Sequence, residues 1–171
     1  MWVQNLLCLL LRVLDLQNSA ATSYARRPET NIRPLLFSSL PLSLPQFTAL
    51  DPNCEHLAVA GRTGLAHYSI QLRKWRLFGN ETQEKDFIVT GGLLWWKEFI
   101  IVGCFNLAAL VDEVRIYTRT EKLDNAFSKV FKVDSQVLLL NLLKDHLVVF
   151  CADNQIGIYK LNGAGTDGKR K

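Results

Sequence analysis

His56-Leu57-Ala58-Val59-Ala60-Gly61, Phe99-Ile100-Ile101-Val102-Gly103-Cys104 and His146-Leu147-Val148-Val149-Phe150-Cys151 are three short apolar runs that open at residues 56, 99 and 146, a spacing of 43 and then 47 residues. Each is followed by a second strand-like run holding a tyrosine, His67-Tyr68, Ile116-Tyr117 and Ile158-Tyr159. A third element recurs as Trp75 to Phe78 and Ser128 to Phe131. Val137 to Leu143 turns at Lys144-Asp145, as Leu93 to Trp96 turns at Lys97-Glu98. Runs this short, rich in Val, Ile, Leu, Phe and Trp and bounded by Gly, Asn, Asp and Lys, are strands. Four strands every 43 to 47 residues is the sequence form of a propeller blade. The expected fold is therefore all-β, a partial β-propeller (WD-repeat-like) of about three blades over residues 51–161.

Local chemistry fills in the turns. Gly61-Arg62-Thr63-Gly64 suits a tight hairpin, because glycine reaches positive φ without steric cost. Gly91-Gly92 marks a bend or bulge between Phe87–Thr90 and Leu93–Trp96. Asn80 to Asp86 is polar and reads as an exposed loop, and no long helical period appears beyond residue 50. The hairpin from Cys104 to Tyr117 carries an apolar tip, Leu107-Ala108-Ala109-Leu110-Val111, poorly suited to water.

Flanking segments read differently. Residues 24 to 46 hold four of the five prolines, and each forbids a regular helix or central strand nearby. Residues 1–50 are thus expected to be an apolar leader and a Pro-rich irregular connector. The run Leu6 to Leu14 is too short to span a bilayer, has no Lys or Arg before it and is interrupted by Arg12. These features argue against a signal peptide, despite the small residues Ser19-Ala20-Ala21 after it, and favour a short apolar helix ending near Asp15 or a non-native leader. Residues 162–171 form a Gly-rich basic tail, expected to be disordered.

Composition narrows the function classes. Of the 171 residues, 49% are hydrophobic and 21% charged, which excludes disorder for most of the chain. A net charge of +4, with its only dense basic run at Lys169-Arg170-Lys171, gives no footprint for nucleic acid. Cys8, Cys54, Cys104 and Cys151 lack the close spacing of a zinc or redox motif and read as reduced, buried thiols. Nothing in the sequence calls for a metal or other cofactor.

Candidate chemistry is sparse. His56 follows Glu55 and His146 follows Asp145, yet neighbours along a strand point to opposite faces, so neither pair is set for acid–base work. The glycine pairs lack the lysine and helix of a phosphate loop. Asn80-Glu81-Thr82 is a glycosylation sequon, relevant only in the secretory pathway. Trp95 and Trp96 must face opposite ways; one packs inward, and the other meets either an adjacent blade or a partner protein. Arg73, Lys74 and Arg76 form a basic cluster for an acidic partner or a membrane surface, or else a solvated strand edge. These five residues are the candidate partner contacts, and Gly61, Gly64, Gly91 and Gly92 the structural turn positions.

Consecutive runs from Asp51 to Leu161 carry a more specific signal. Ala58-Val59-Ala60-Gly61, Thr63-Gly64-Leu65-Ala66-His67-Tyr68-Ser69, Lys74-Trp75, Leu77-Phe78-Gly79-Asn80 and Thr82-Gln83-Glu84 are the first. Ile88-Val89-Thr90-Gly91-Gly92-Leu93, Trp95-Trp96 and Leu123-Asp124-Asn125-Ala126-Phe127 follow. Together they resemble the N-terminal β-propeller region of the Ric-one family, over roughly two thirds of the chain. The resemblance implies a non-catalytic subunit of a guanine-nucleotide exchange complex, acting with an Rgp-one-type partner subunit on a Rab GTPase of the Rab-six class. It further implies a cytoplasmic protein peripherally bound to Golgi membranes, in endosome-to-Golgi retrograde transport. A generic propeller scaffold and a secreted β-rich binding domain are the alternatives. Family members are far longer, and three blades cannot close a ring, so the chain is expected to be a fragment, an isoform or an incomplete gene prediction, with residues 50–171 alone prone to aggregate.

Overall fold

The computed structural model describes residues 46–162. The leader, most of the Pro-rich stretch, Cys8 and all but the first residue of the basic tail lie outside the described residues. Within them the chain is all-β, in three antiparallel meanders. The first sheet holds β1 (Phe47–Leu50), β2 (His56–Ala60), β3 (Leu65–Ser69) and β4 (Lys74–Arg76). The second holds β5 (Phe87–Trp96), β6 (Phe99–Asn106), β7 (Val111–Thr118) and β8 (Lys129–Lys132). The third holds β9 (Val137–Leu143), β10 (His146–Cys151) and β11 (Ile156–Lys160). The sheets stack through their first strands, β1 against β5 and β5 against β9.

Register shows that the repeat is structural. The tyrosine of each unit pairs across the strands with the same apolar position: Leu57 with Tyr68, Ile100 with Tyr117, and Leu147 with Tyr159. The turn before each second strand places a residue in the left-handed region two positions ahead of it: Cys54 at φ 59°, Lys97 at 53° and Lys144 at 55°. None of the three is glycine, so each carries the steric cost of a Cβ in that region. Cys54 thus occupies a repeat position as a turn residue, and it is exposed, unlike the buried Cys104 and Cys151.

Three expectations need correction. Residues 80–86 are not simply a loop: Glu81–Lys85 forms a short helix, α1, because the Asn80 side chain accepts a hydrogen bond from Gln83 N–H at 2.9 Å. This is an N-cap, which sequence periodicity misses in so short an element. Phe47–Leu50 is a strand paired with β2, so ordered structure starts inside the stretch read as connector. The thiol of Cys54 is at the surface, because a left-handed turn residue has no core to enter.

Of the four turn glycines, Gly64 and Gly92 have positive φ. Gly64 has φ 68° and closes the β2–β3 turn, with the Glu84 side chain so near that a Cβ would stand 3.0 Å from it. Gly61 is the buried first residue of the same turn. In β5 the register slips between Val89 and Gly92, a bulge with Gly92 at φ 107°. Gly91 and Gly103 leave a hole in the second sheet that Val137 fills; a Cβ at Gly103 would stand 2.8 Å from Val137 Cγ1, and one at Gly91 would overlap the valine outright.

The second sheet is buried on both faces, which explains its near-continuous apolar runs. Trp95, Ile100, Val102, Cys104 and Tyr117 pack with Ala58, Ala60 and Leu65 of the first sheet. Trp96, Ile101, Val114 and Ile116 pack with Val137, Leu147, Val149 and Tyr159 of the third.

Candidate functional site

The β1–β2, β5–β6 and β9–β10 turns lie at one end of the three sheets, and most of the residues singled out from the sequence lie near this rim. Trp95 and Trp96 project to opposite faces of the second sheet, as strand neighbours must. Both are nearly enclosed, 5% and 6% exposed, and both indole N–H groups are taken: Trp95 Nε1 donates to Ala49 O at 3.0 Å and Trp96 Nε1 to Asp145 Oδ1 at 3.1 Å. Each indole binds one sheet to the next. A partner anchor needs an accessible ring, so neither offers one here.

The basic cluster divides. Arg73, at φ 51°, and Lys74 are exposed in the β3–β4 turn and on β4. Arg76 instead reaches across to the loop after β7, where one guanidinium nitrogen donates to the carbonyls of Arg119, Thr120 and Glu121 at 2.8, 3.2 and 3.0 Å. It ties the first sheet to the second, a role neither of its sequence readings anticipated.

Several rim residues escaped the sequence reading. Asp51 is buried, and its Oδ1 accepts from the backbone N–H of Glu55 and of His56, both at 2.7 Å. His56 Nδ1 lies 3.8 Å from Asp51 Oδ2 and accepts from Arg119 Nη1 at 3.2 Å, which puts the imidazole proton on Nε2. Arg119 also stands 3.6 Å from Glu98. Asp51, Glu55 and His56 bring three possible ligand atoms within 4.8 Å of one another. With the Arg119 guanidinium on His56 Nδ1 and one aspartate oxygen holding two amides, the trio braces a turn. Asp145 accepts from Lys97 as well as Trp96, and the lysine stands 4.5 Å over the Trp96 ring. These bonds hold the Asp145 carboxyl below its ordinary range.

Behind the rim, the potentially reactive groups are spent on structure. His67 is 2% exposed, lies edge-on to Trp95 at 6.0 Å, and among the described residues has no hydrogen-bond partner on either ring nitrogen. Burial, helped by the positive charge of Arg76, lowers its pKa to about 4, so it is neutral at pH 7. Burial pushes the Cys104 thiol up to about 12, so the thiolate a nucleophile needs is absent near neutrality. Glu113 and Arg115 form a buried ion pair at 2.6 Å, with the guanidinium 4.5 Å from the Phe87 ring. Tyr117 donates to Asn125 Oδ1 at 2.8 Å, and Asn125 Nδ2 donates to Gln83 O and Asp86 Oδ2 at 3.0 Å. The alternation of Glu113, Val114, Arg115 and Ile116 announced a polar face for β7; that this face would be buried was not visible without the first sheet. No helix among the described residues is long and apolar enough to cross a membrane.

Comparison with known proteins agrees with this architecture. A protein named guanine nucleotide exchange factor subunit RIC1 from Mus musculus is 49% identical over 116 residues, 68% of this chain. Its Homo sapiens counterpart is 46% identical over the same length, and the Caenorhabditis elegans subunit R06F6.8 is 37% identical over 128 residues. The chain spans about 8% of the length of each of these relatives. The family described as the RIC1 second beta propeller domain matches residues 43–171, which places the likeness more narrowly than the N-terminal propeller region named from the sequence. That match takes in β1 and every strand after it, so the repeated meander and the sequence identity point the same way: the chain belongs to the RIC1 second beta propeller domain family.

Proposed function

We propose that the three sheets are consecutive blades of an incomplete propeller, and that the chain is a non-catalytic part of a guanine-nucleotide exchange factor subunit. The observation that carries this reading is the 49% identity, over 116 residues, to a protein named as such a subunit. In this reading the exchange complex contains an Rgp-one-type subunit and acts on a Rab GTPase of the Rab-six class. It does so as a peripheral assembly at Golgi membranes, in endosome-to-Golgi retrograde transport. Residues 47–161 supply the blades, with a leader and connector before them, and 162–171 a basic tail. Exchange needs a surface that favours the nucleotide-poor GTPase over the loaded one, and no catalytic group. Arg73 and Lys74, exposed beside the rim, are the residues we assign to partner contact; Trp95 and Trp96 join the sheets.

Pull-down of the full chain with an Rgp-one-type subunit and a nucleotide-free Rab tests this. Retention of either, reduced by Arg73→Glu with Lys74→Glu, is expected. Retention of neither, under conditions where the longer mouse relative retains both, would overturn the reading in favour of a propeller scaffold with other partners.

A further inference from the structure

The turn between the second and third strands of a sheet is Gly61-Arg62-Thr63-Gly64 in the first unit and Ala152-Asp153-Asn154-Gln155 in the third. In the second it is Leu107-Ala108-Ala109-Leu110, without a polar side chain. This turn joins the two central strands of its sheet, at the end opposite the rim described above, so it is a hairpin tip and not a sheet edge. The left-handed residue in these turns is Gly64 at φ 68° and Asn154 at 64°, types that bear that region well, but Leu110 at 54°. Leu110 is 72% exposed and Leu107 41%, with Ala108 and Ala109 exposed between them. Leu110 therefore carries a steric cost and a solvation cost that glycine or asparagine would not carry.

The tip is also closed by its own chain. Asn106 Oδ1 accepts from the backbone N–H of Ala108 and of Ala109, both at 3.0 Å, and Asp86 O accepts from Leu107 N–H at 2.9 Å. At its base Asn106 pairs with Val111, and Asn106 Nδ2 donates to the buried Glu113 at 3.2 Å. Three consecutive amides thus have partners without help from water. A tip facing solvent can leave its amides to water, whereas a backbone that enters hydrocarbon must satisfy them internally. The charged side chains adjoining the tip are acidic: Asp86, whose carbonyl takes the Leu107 N–H, and Asp112, two residues beyond Leu110. Anionic headgroups are therefore repelled and uncharged ones are not.

We propose that the β6–β7 tip, Leu107-Ala108-Ala109-Leu110, is a lipid contact that enters the interface of an uncharged bilayer. Leu107 and Leu110 reach the acyl boundary, Ala108 and Ala109 keep the turn narrow, and the Asn106 and Asp86 bonds spare the three amides from desolvation. A protein partner would need a pocket shaped to four side chains; lipid needs only apolar surface with its amides already paired. The contact is separate from Arg73 and Lys74, which lie at the other end of the sheets. It is independent of the proposed exchange function, since it rests on the tip alone.

The test is flotation of the full chain with vesicles of dioleoyl phosphatidylcholine. Binding is expected, and it should not rise when phosphatidylserine is added. Leu107→Ser with Leu110→Ser should weaken the partitioning about tenfold, with the unfolding midpoint unchanged because both side chains are exposed. Leu107→Phe should strengthen it about threefold, a gain that does not depend on the serine variant. Absence of flotation would overturn the proposal and leave the tip to a protein pocket. Binding unaltered by the serine pair would overturn it too, and assign the lipid contact to the Leu6–Leu14 run. So would binding that requires phosphatidylserine, because the basic residues Arg73, Lys74 and Lys169 to Lys171 would then be the contact.

Discussion

The seam between the first and second sheets and the seam between the second and third are made of different materials. The first joins aromatic and polar groups: Trp95 against His56 and His67 and bonded to Ala49 O, Arg119 on His56, and Arg76 gathering three carbonyls. The second is mostly aliphatic, with Val137 seated in the Gly91–Gly103 hole and Ile101, Val114 and Ile116 against Leu147 and Val149. Directional bonds penalise any other alignment of the two sheets, whereas aliphatic packing penalises only lost volume. Directional bonds also cross the second seam, from Trp96 and Lys97 to Asp145, so the first leans more on chemistry and the second more on shape.

That contrast can be broken experimentally. The largest effect is expected from Trp95→Ala, at about 4 kcal/mol, because it removes a buried indole together with its bond to Ala49. A denaturant midpoint close to that of the unsubstituted chain would show that the first seam does not depend on it. On the other seam, Gly91→Ala should cost about 3 kcal/mol, because the methyl group would overlap Val137. Adding Val137→Ala should restore part of that loss, and failure of this rescue would mean the hole is not shaped by the valine.

Acid should weaken the first seam selectively. The folded pKa of His67 lies at about 4, below the ordinary histidine value of 6.5, so the unfolded chain binds more protons between these values. Stability therefore rises with pH across this window: the His67 term has no cost above about pH 6.5 and its penalty is complete below about pH 4. Urea unfolding at pH 7.5 and pH 5 should differ by roughly 2 kcal/mol from this group, and His67→Leu should flatten the dependence. An unchanged slope in that variant would assign the acid sensitivity to other groups. The smallest effect belongs to Arg76→Ala, about 1 kcal/mol, since it removes the nitrogen that meets three carbonyls at an exposed site.

The repeat was legible in the sequence because its pieces are local. Alternation along one strand, glycines at turns and the recurring tyrosine need only a few neighbouring residues, and the register confirms how they pair. What stayed hidden depends on contacts between sheets. Nothing local to Arg76 announces a loop 43 to 45 residues away, and nothing local to Asn125 announces Gln83 and Asp86. The tryptophans illustrate the boundary. Their opposite orientations followed from strand geometry, but that both faces were occupied required the first and third sheets to be in place. The helix at Glu81–Lys85 was missed for another reason: a five-residue element shows no period, and its Asn80 cap was the available signal.

The two buried faces of the second sheet also constrain how its length can vary. Trp95 and Trp96, Ile100 and Ile101, and Glu113 and Val114 serve different seams as consecutive residues. Inserting or deleting one residue within β6 or β7 would exchange the two sets beyond that point, sending Arg115 and Glu113 into the aliphatic seam and Val114 and Ile116 into the polar one. A change of two residues keeps every side chain on its own side. The middle strands of this family are therefore expected to tolerate length changes by parity, with even steps surviving where odd ones do not.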